Sequence, residues 1–156
     1  MKNYRLYIAA FMLFLFSVKL EAQTISWTAF EHLSDSIRKA PKPILVFIQA
    51  DWCKFCEMQD KNTFTNSAVI KKLSRDFYAL KLNGESKSPI KFLNRTYTYK
   101  SNGSQTGNHQ LAEFLGKKGG ELAYPTTVLL TSKLNVSARE TGFINADDLL
   151  KLLSQF

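Results

Sequence analysis

Cys53 and Cys56 are the only two cysteines in this chain of 156 residues, and they stand in the run Trp52-Cys53-Lys54-Phe55-Cys56. Bonded to each other they would close so small a loop that little freedom is removed from the unfolded chain, which makes the bridge a poor structural staple. The same closeness suits a reversible dithiol–disulfide switch: one sulfur attacks a disulfide on another molecule and the second displaces what the first has captured. Attack requires the thiolate, so the attacking sulfur needs a lowered pKa. A helix N-terminus supplies it, through unpaired backbone N–H groups and the positive end of the helix dipole.

The residues around the pair read as the elements that would create such a position. Ile44-Leu45-Val46-Phe47-Ile48 is a continuous apolar run rich in β-branched residues, the pattern of a buried central strand. It delivers the chain to Asp51-Trp52-Cys53. From Lys54 to Lys61 there is neither Gly nor Pro, and a helix is expected there with Cys53 at or just before its start. Cys53 is therefore the expected nucleophile, and Cys56, one turn inside, the expected resolving cysteine.

Other chemistry open to a Cys-x-x-Cys pair lacks its further parts. Zinc would need two more ligands, and His32 and His109 have no matching paired spacing. Covalent haem would need His directly after Cys56, where Glu57 stands. His32 falls on an amphipathic pattern and His109 near a helix start, so both read as structural or surface residues. No metal and no cofactor beyond the cysteine pair itself is expected.

Along the rest of the chain, Ile25, Phe30, Leu33 and Ile37 give an amphipathic first helix over 25–39, stopped by Pro41 and Pro43. Asn66 caps a helix over 67–75, and 77–82 reads as a strand ended by Asn83-Gly84. Residues 85–107 are polar and turn-rich, an expected insertion or long loop with one short element at 90–93. A helix is expected over 109–115, ended by Gly116. Thr126 to Leu130 reads as a second buried strand, paired with a weaker one within 136–144, and Asn145 caps a last helix whose apolar face is Leu149, Leu150, Leu152 and Leu153. The fold class is α/β, a mixed sheet flanked by helices, in one domain.

Composition agrees with a globular domain: 45% of residues are hydrophobic and 13% aromatic. Lys2 and Arg5 precede an apolar run from Leu6 to Phe16 and a small-residue end at Ala22, the layout of a secretory leader over 1–22, with the domain over 23–156. That run is well short of the roughly 20 residues a spanning helix needs. Cleavage after Ala22 would lower the net charge from +8 to +6, with 18 basic against 12 acidic residues. The basic residues, among them Lys71, Lys72, Arg75, Lys117 and Lys118, are scattered between apolar ones without an Arg-rich arm, so no nucleic-acid partner is expected.

The Trp-Cys-x-x-Cys core, the later Tyr124-Pro125-Thr126 before a strand, and the terminal hairpin plus helix resemble the thioredoxin superfamily in kind and order over nearly all of the chain past residue 22. Trp27, Asp51-Trp52-Cys53, Phe64 and Lys81-Leu82-Asn83 resemble, more narrowly, small exported thioredoxin-like proteins of bacteria. The resemblance implies a thioredoxin-like fold and thiol–disulfide exchange with protein substrates, in the reductase or isomerase direction. It implies a cis bond before Pro125 beside the disulfide, with Trp52, Tyr124 and Pro125 contacting substrate. A periplasmic monomer is expected, ahead of secretion or tethering by an uncleaved leader, recharged by a membrane-bound or thioredoxin-like electron donor. Two departures stand out. The family's usual buried acid, six positions before the first motif Cys, is replaced by Phe47, and Lys54-Phe55 replaces the familiar Gly-Pro. Glu57 or Asp51 could then influence protonation, and Lys54, Phe55 and Glu57 are candidate modulators. The rival reading is a redox-inert module that keeps the fold to hold polypeptides.

Overall fold

The computed structural model describes residues 24–103, 106–117 and 119–156; the leader expected over 1–22 lies outside the described residues. Its centre is β1 (Ile44–Gln49), the apolar run identified above, with only Gln49 not fully buried. β1 pairs in parallel with β2 (Tyr78–Asn83) and antiparallel with β7 (Thr126–Leu130), and β7 pairs antiparallel with β8 (Val136–Thr141), giving the order β2-β1-β7-β8. Alternate side chains point to opposite faces of a strand, and this sorts the core into two layers. Leu45, Phe47, Ala79 and Leu129 pack beneath α2 (Lys54–Asn62), α3 (Ser67–Asp76) and α5 (Ala146–Leu153). Ile44, Val46, Ile48, Leu80, Leu82 and Val128 pack beneath α1 (Phe30–Lys39) and α4 (Gln110–Gly116).

The caps fall where the sequence places them. Asn66 accepts from the N–H groups of Ala68 (2.9 Å) and Val69 (3.2 Å), and Asn145 accepts from that of Asp148 (2.9 Å). Each offers a side-chain oxygen to donors that the first helical turn leaves free.

Two expectations are corrected. The first helix begins at Phe30, not Ile25: the preceding residues are extended, Trp27 bridges in parallel to Ala79, and Thr28 N–H donates to the Ala79 carbonyl at 2.7 Å. The outer edge of β2 offers backbone partners, and occupying it removes an exposed strand edge. Helical spacing of four apolar residues is too weak a signal to outweigh that pairing. The second correction is to 85–107, where the one short element expected at 90–93 is joined by three further short strands. β3 (Ile90–Phe92) pairs with β4 (Arg95–Tyr97), and β5 (Tyr99–Ser101) with β6 (Gly107–His109). Leu93 and Asn94 turn the first ribbon with positive φ (50° and 62°), and Phe92 and Tyr97 enter the core beside α1 and α4. Strands of three residues are too short for alternation to show in sequence.

Candidate active site

Cys53 is the N-cap of α2. Its carbonyl accepts from the N–H groups of Cys56 and Glu57, both at 3.1 Å, and its Sγ accepts from Cys56 N–H at 3.1 Å. The sulfur therefore lies among the free donors of the first turn, where negative charge on it is favoured. Cys53 and Cys56 are joined as a disulfide, with their Cα atoms 5.2 Å apart. Cys53 keeps 6% of its surface open and Cys56 only 1%, so an incoming group meets Cys53 first.

Trp52 and Phe55 flank the disulfide and point outward, 66% and 62% exposed. Together they form an apolar rim. Pro125 is buried and its bond to Tyr124 is cis. Among the described residues, the backbone N–H and C=O of Tyr124 make no backbone hydrogen bond. Its ring meets Trp52 edge-on, centroids 6.0 Å apart. Burial, and then the carboxylates of Glu85 and Glu113, hold the Tyr124 hydroxyl well above the usual phenol range, so it stays a donor.

The two carboxylates weighed from sequence each have a polar partner. Glu57 faces outward to Lys61 (2.7 Å) and Lys54 (3.6 Å); the Lys61 hydrogen bond foremost holds its carboxyl below the usual range. Asp51 accepts from Asn83 Nδ2 at 2.9 Å, tying the motif loop to the end of β2.

Sequence reasoning missed Asp60. It lines, with Gln49, Ala50, Asp51, Cys53, Cys56 and Glu57, a cleft of about 230 Å³ running beside the disulfide. Its carboxylate is ion-paired to Lys81, which stands across β1/β2 from Phe47 and lies over the Phe47 and Trp27 rings, 5.7 Å from each centroid. Beside Phe47, where the resemblance expects an acid, Lys81 therefore holds a carboxylate supplied by α2. The available signal was spacing: Asp60 lies one helical turn beyond Cys56, on the same face. His32 is exposed on α1 and far in sequence from this constellation, whereas His109 is fully buried as the N-cap of α4, its Nδ1 accepting from Leu111 N–H at 3.2 Å.

A sheet of this order, with a Cys-x-x-Cys helix opening at the end of its central strand opposite a cis-proline, defines a thioredoxin-like domain. The family pattern described as a thioredoxin-like domain matches residues 30–156, and the chain belongs to that family. It is 28% identical over 122 residues to the thiol:disulfide interchange protein DsbD of Campylobacter jejuni, a match covering 78% of this chain and 18% of that protein. It is 29% identical over 126 residues to DsbD of Pectobacterium atrosepticum, covering 80% and 18%. The chain therefore spans about a fifth of the length of these relatives. Among solved structures, it is similar to a thioredoxin from Thermus thermophilus (TM-score 0.60, 16% identity, 85% of this chain and 86% of that one). The oxidised C-terminal domain of Neisseria meningitidis DsbD is also similar (TM-score 0.55, 17% identity, 83% and 98%). At such identities the structural likeness speaks for the fold. Among the described residues no helix is long and apolar enough to cross a membrane.

Proposed function

We propose that this protein is a thiol–disulfide oxidoreductase that reduces or rearranges protein disulfides through Cys53 and Cys56. The observation that carries the reading is the placement of Cys53 Sγ at the mouth of α2, reachable between Trp52, Phe55 and the unpaired backbone of Tyr124. A substrate strand laid along Tyr124 would hydrogen-bond to that backbone and bring its disulfide against Cys53. The Cys53 thiolate then attacks one substrate sulfur; the other leaves as a thiolate and takes up a proton. Cys56, on losing its proton, attacks Cys53 Sγ, releasing the second substrate thiol and leaving the Cys53–Cys56 disulfide. Two electrons pass from the dithiol to the substrate, and an external dithiol donor must restore them. Asp60, one turn beyond Cys56 and lining the same cleft, is proposed to receive the Cys56 proton. The work is proposed to take place after export, on the strength of the pattern over residues 1–22.

Insulin reduction coupled to dithiothreitol tests the reading. Wild-type protein should accelerate it, Cys53→Ser should abolish the acceleration, and Cys56→Ser should accumulate mixed disulfides with substrate. Equal inactivity of the wild type and Cys53→Ser would favour the redox-inert polypeptide-binding module instead.

A further inference from the structure

The chain leaves the active site at Gly84 and returns to it at His109, whose N–H donates to the Gly84 carbonyl at 2.7 Å. Between these points lie the two ribbons β3–β4 and β5–β6, and both ends of the excursion grip the aromatic residues beside the disulfide. At the outgoing end, Glu85 Oε2 accepts from Trp52 Nε1 at 3.0 Å. At the returning end, Asn108 Oδ1 accepts from the Tyr124 hydroxyl at 2.9 Å. The Tyr124 phenol lies directly on Gly84, where any Cβ would overlap it. The first ribbon is itself anchored: Phe92 packs edge-on against Phe30 of α1, centroids 5.8 Å apart. Gln110, the first residue of α4, holds Thr98, the residue that joins the two ribbons: its Oε1 accepts from Thr98 N–H at 3.0 Å while its own N–H donates to the Thr98 carbonyl at 2.9 Å.

We infer that the two ribbons form a clasp that sets the substrate-facing wall of the active site, with Asn108 as a positioning residue that acts through the Tyr124 hydroxyl on Tyr124 and Trp52. The inference rests on the oxidoreductase reading and gives the excursion a role in it. Tyr124 is half-buried and its ring bears on Trp52, so the hydrogen bond at its far end fixes where both rings stand when a polypeptide approaches. The thiols are not touched by Asn108, and the intrinsic reactivity of Cys53 is independent of it. Asn108 therefore governs how well a protein substrate is held, and a disulfide too small to reach the rings is indifferent to it.

The full chain carrying Asn108→Ala tests this. The KM for insulin should rise about five-fold, the weight of one net hydrogen bond of about 1 kcal/mol. Its kcat, the rate of iodoacetamide alkylation of reduced Cys53, and the reduction of hydroxyethyl disulfide should stay at wild-type values. In a Tyr124→Phe background, which lacks the same hydrogen bond, Asn108→Ala should add no further loss, as a double-mutant cycle requires of partners. An unchanged KM, or a full penalty in the Tyr124→Phe background, overturns the inference. Hydrogen exchange of the Trp52 indole N–H, followed by NMR, reads the clasp without any turnover and should be faster in Asn108→Ala. If the wild type fails to reduce insulin, the oxidoreductase reading falls, and the exchange measurement alone decides the clasp: an unchanged rate overturns it.

Discussion

At the scale of single residues, the balance between Cys53 and Cys56 is a matter of which atoms each sulfur meets. Cys53 Sγ receives the Cys56 N–H and a helix mouth, whereas Cys56 is closed to solvent and must lose its proton within a protein environment. Asp60 lines the adjoining cleft with Asp51 and Glu57, one turn beyond Cys56 on α2 and paired with Lys81. Asp60→Asn keeps the shape and removes the proton acceptor. We expect it to slow release of the mixed disulfide by roughly 10²-fold at neutral pH, the lower end of what a positioned acid–base group contributes. Alkylation of Cys53 should be unaffected. Stopped-flow measurement of the two steps separates them, and a normal release rate would remove Asp60 from the mechanism. Glu57→Gln, by contrast, should leave release within about two-fold, since that carboxylate is half exposed and paired with Lys61. The cysteine pair was legible because motif chemistry is local, and Pro125 only through the resemblance to the thioredoxin superfamily; Asp60 was not, because its partner is 21 residues away and on a neighbouring strand.

At the scale of elements, the caps were legible and the ribbons were not. Asn66 and Asn145 announce their helices through side chains acting within three residues. His109 does the same for α4, but nothing local shows that it is fully buried among the ribbons. Burial holds the His109 pKa below its ordinary 6.5, against a smaller opposing effect of the Ser88 and Tyr97 carbonyls. Protonation would also place a hydrogen on Nδ1, which accepts the Leu111 N–H. The unfolded chain thus binds this proton more readily than the folded one. Stability is complete above the ordinary histidine pKa and declines as pH falls through it toward the depressed folded value. Urea denaturation at pH 7.5 and pH 5 should show a loss in the wild type that is smaller in His109→Gln; equal losses would mean that other groups carry the acid sensitivity.

At the scale of the whole molecule, the segment over 85–107 contributes Phe92 and Tyr97 to the core. Phe92 is 3% exposed and completes the layer of Phe30, Leu111 and Leu115. Phe92→Ala should therefore destabilise the domain by about 3–5 kcal/mol, as for other buried Phe truncations. A change within about 0.5 kcal/mol in chemical denaturation, the size typical of a surface site, would mark the ribbons as dispensable. The same assembly sets the chemistry, since α2 must open at the end of β1 and Tyr124-Pro125 must arrive from the other end of the chain to face it. By itself the amino-acid sequence determined the α/β class, the helix that opens just after Cys53, the strand before it and the cap residues, because apolar periodicity, capping and motif spacing act over a few residues. Tertiary structure alone decided that residues 25–28 pair with β2, that the polar segment folds into ribbons gripping Trp52 and Tyr124, and that Asp60, paired with Lys81, lines the cleft beside the disulfide. Those outcomes depend on contacts between side chains distant in sequence, whose strength comes from burial and pairing that no local pattern encodes.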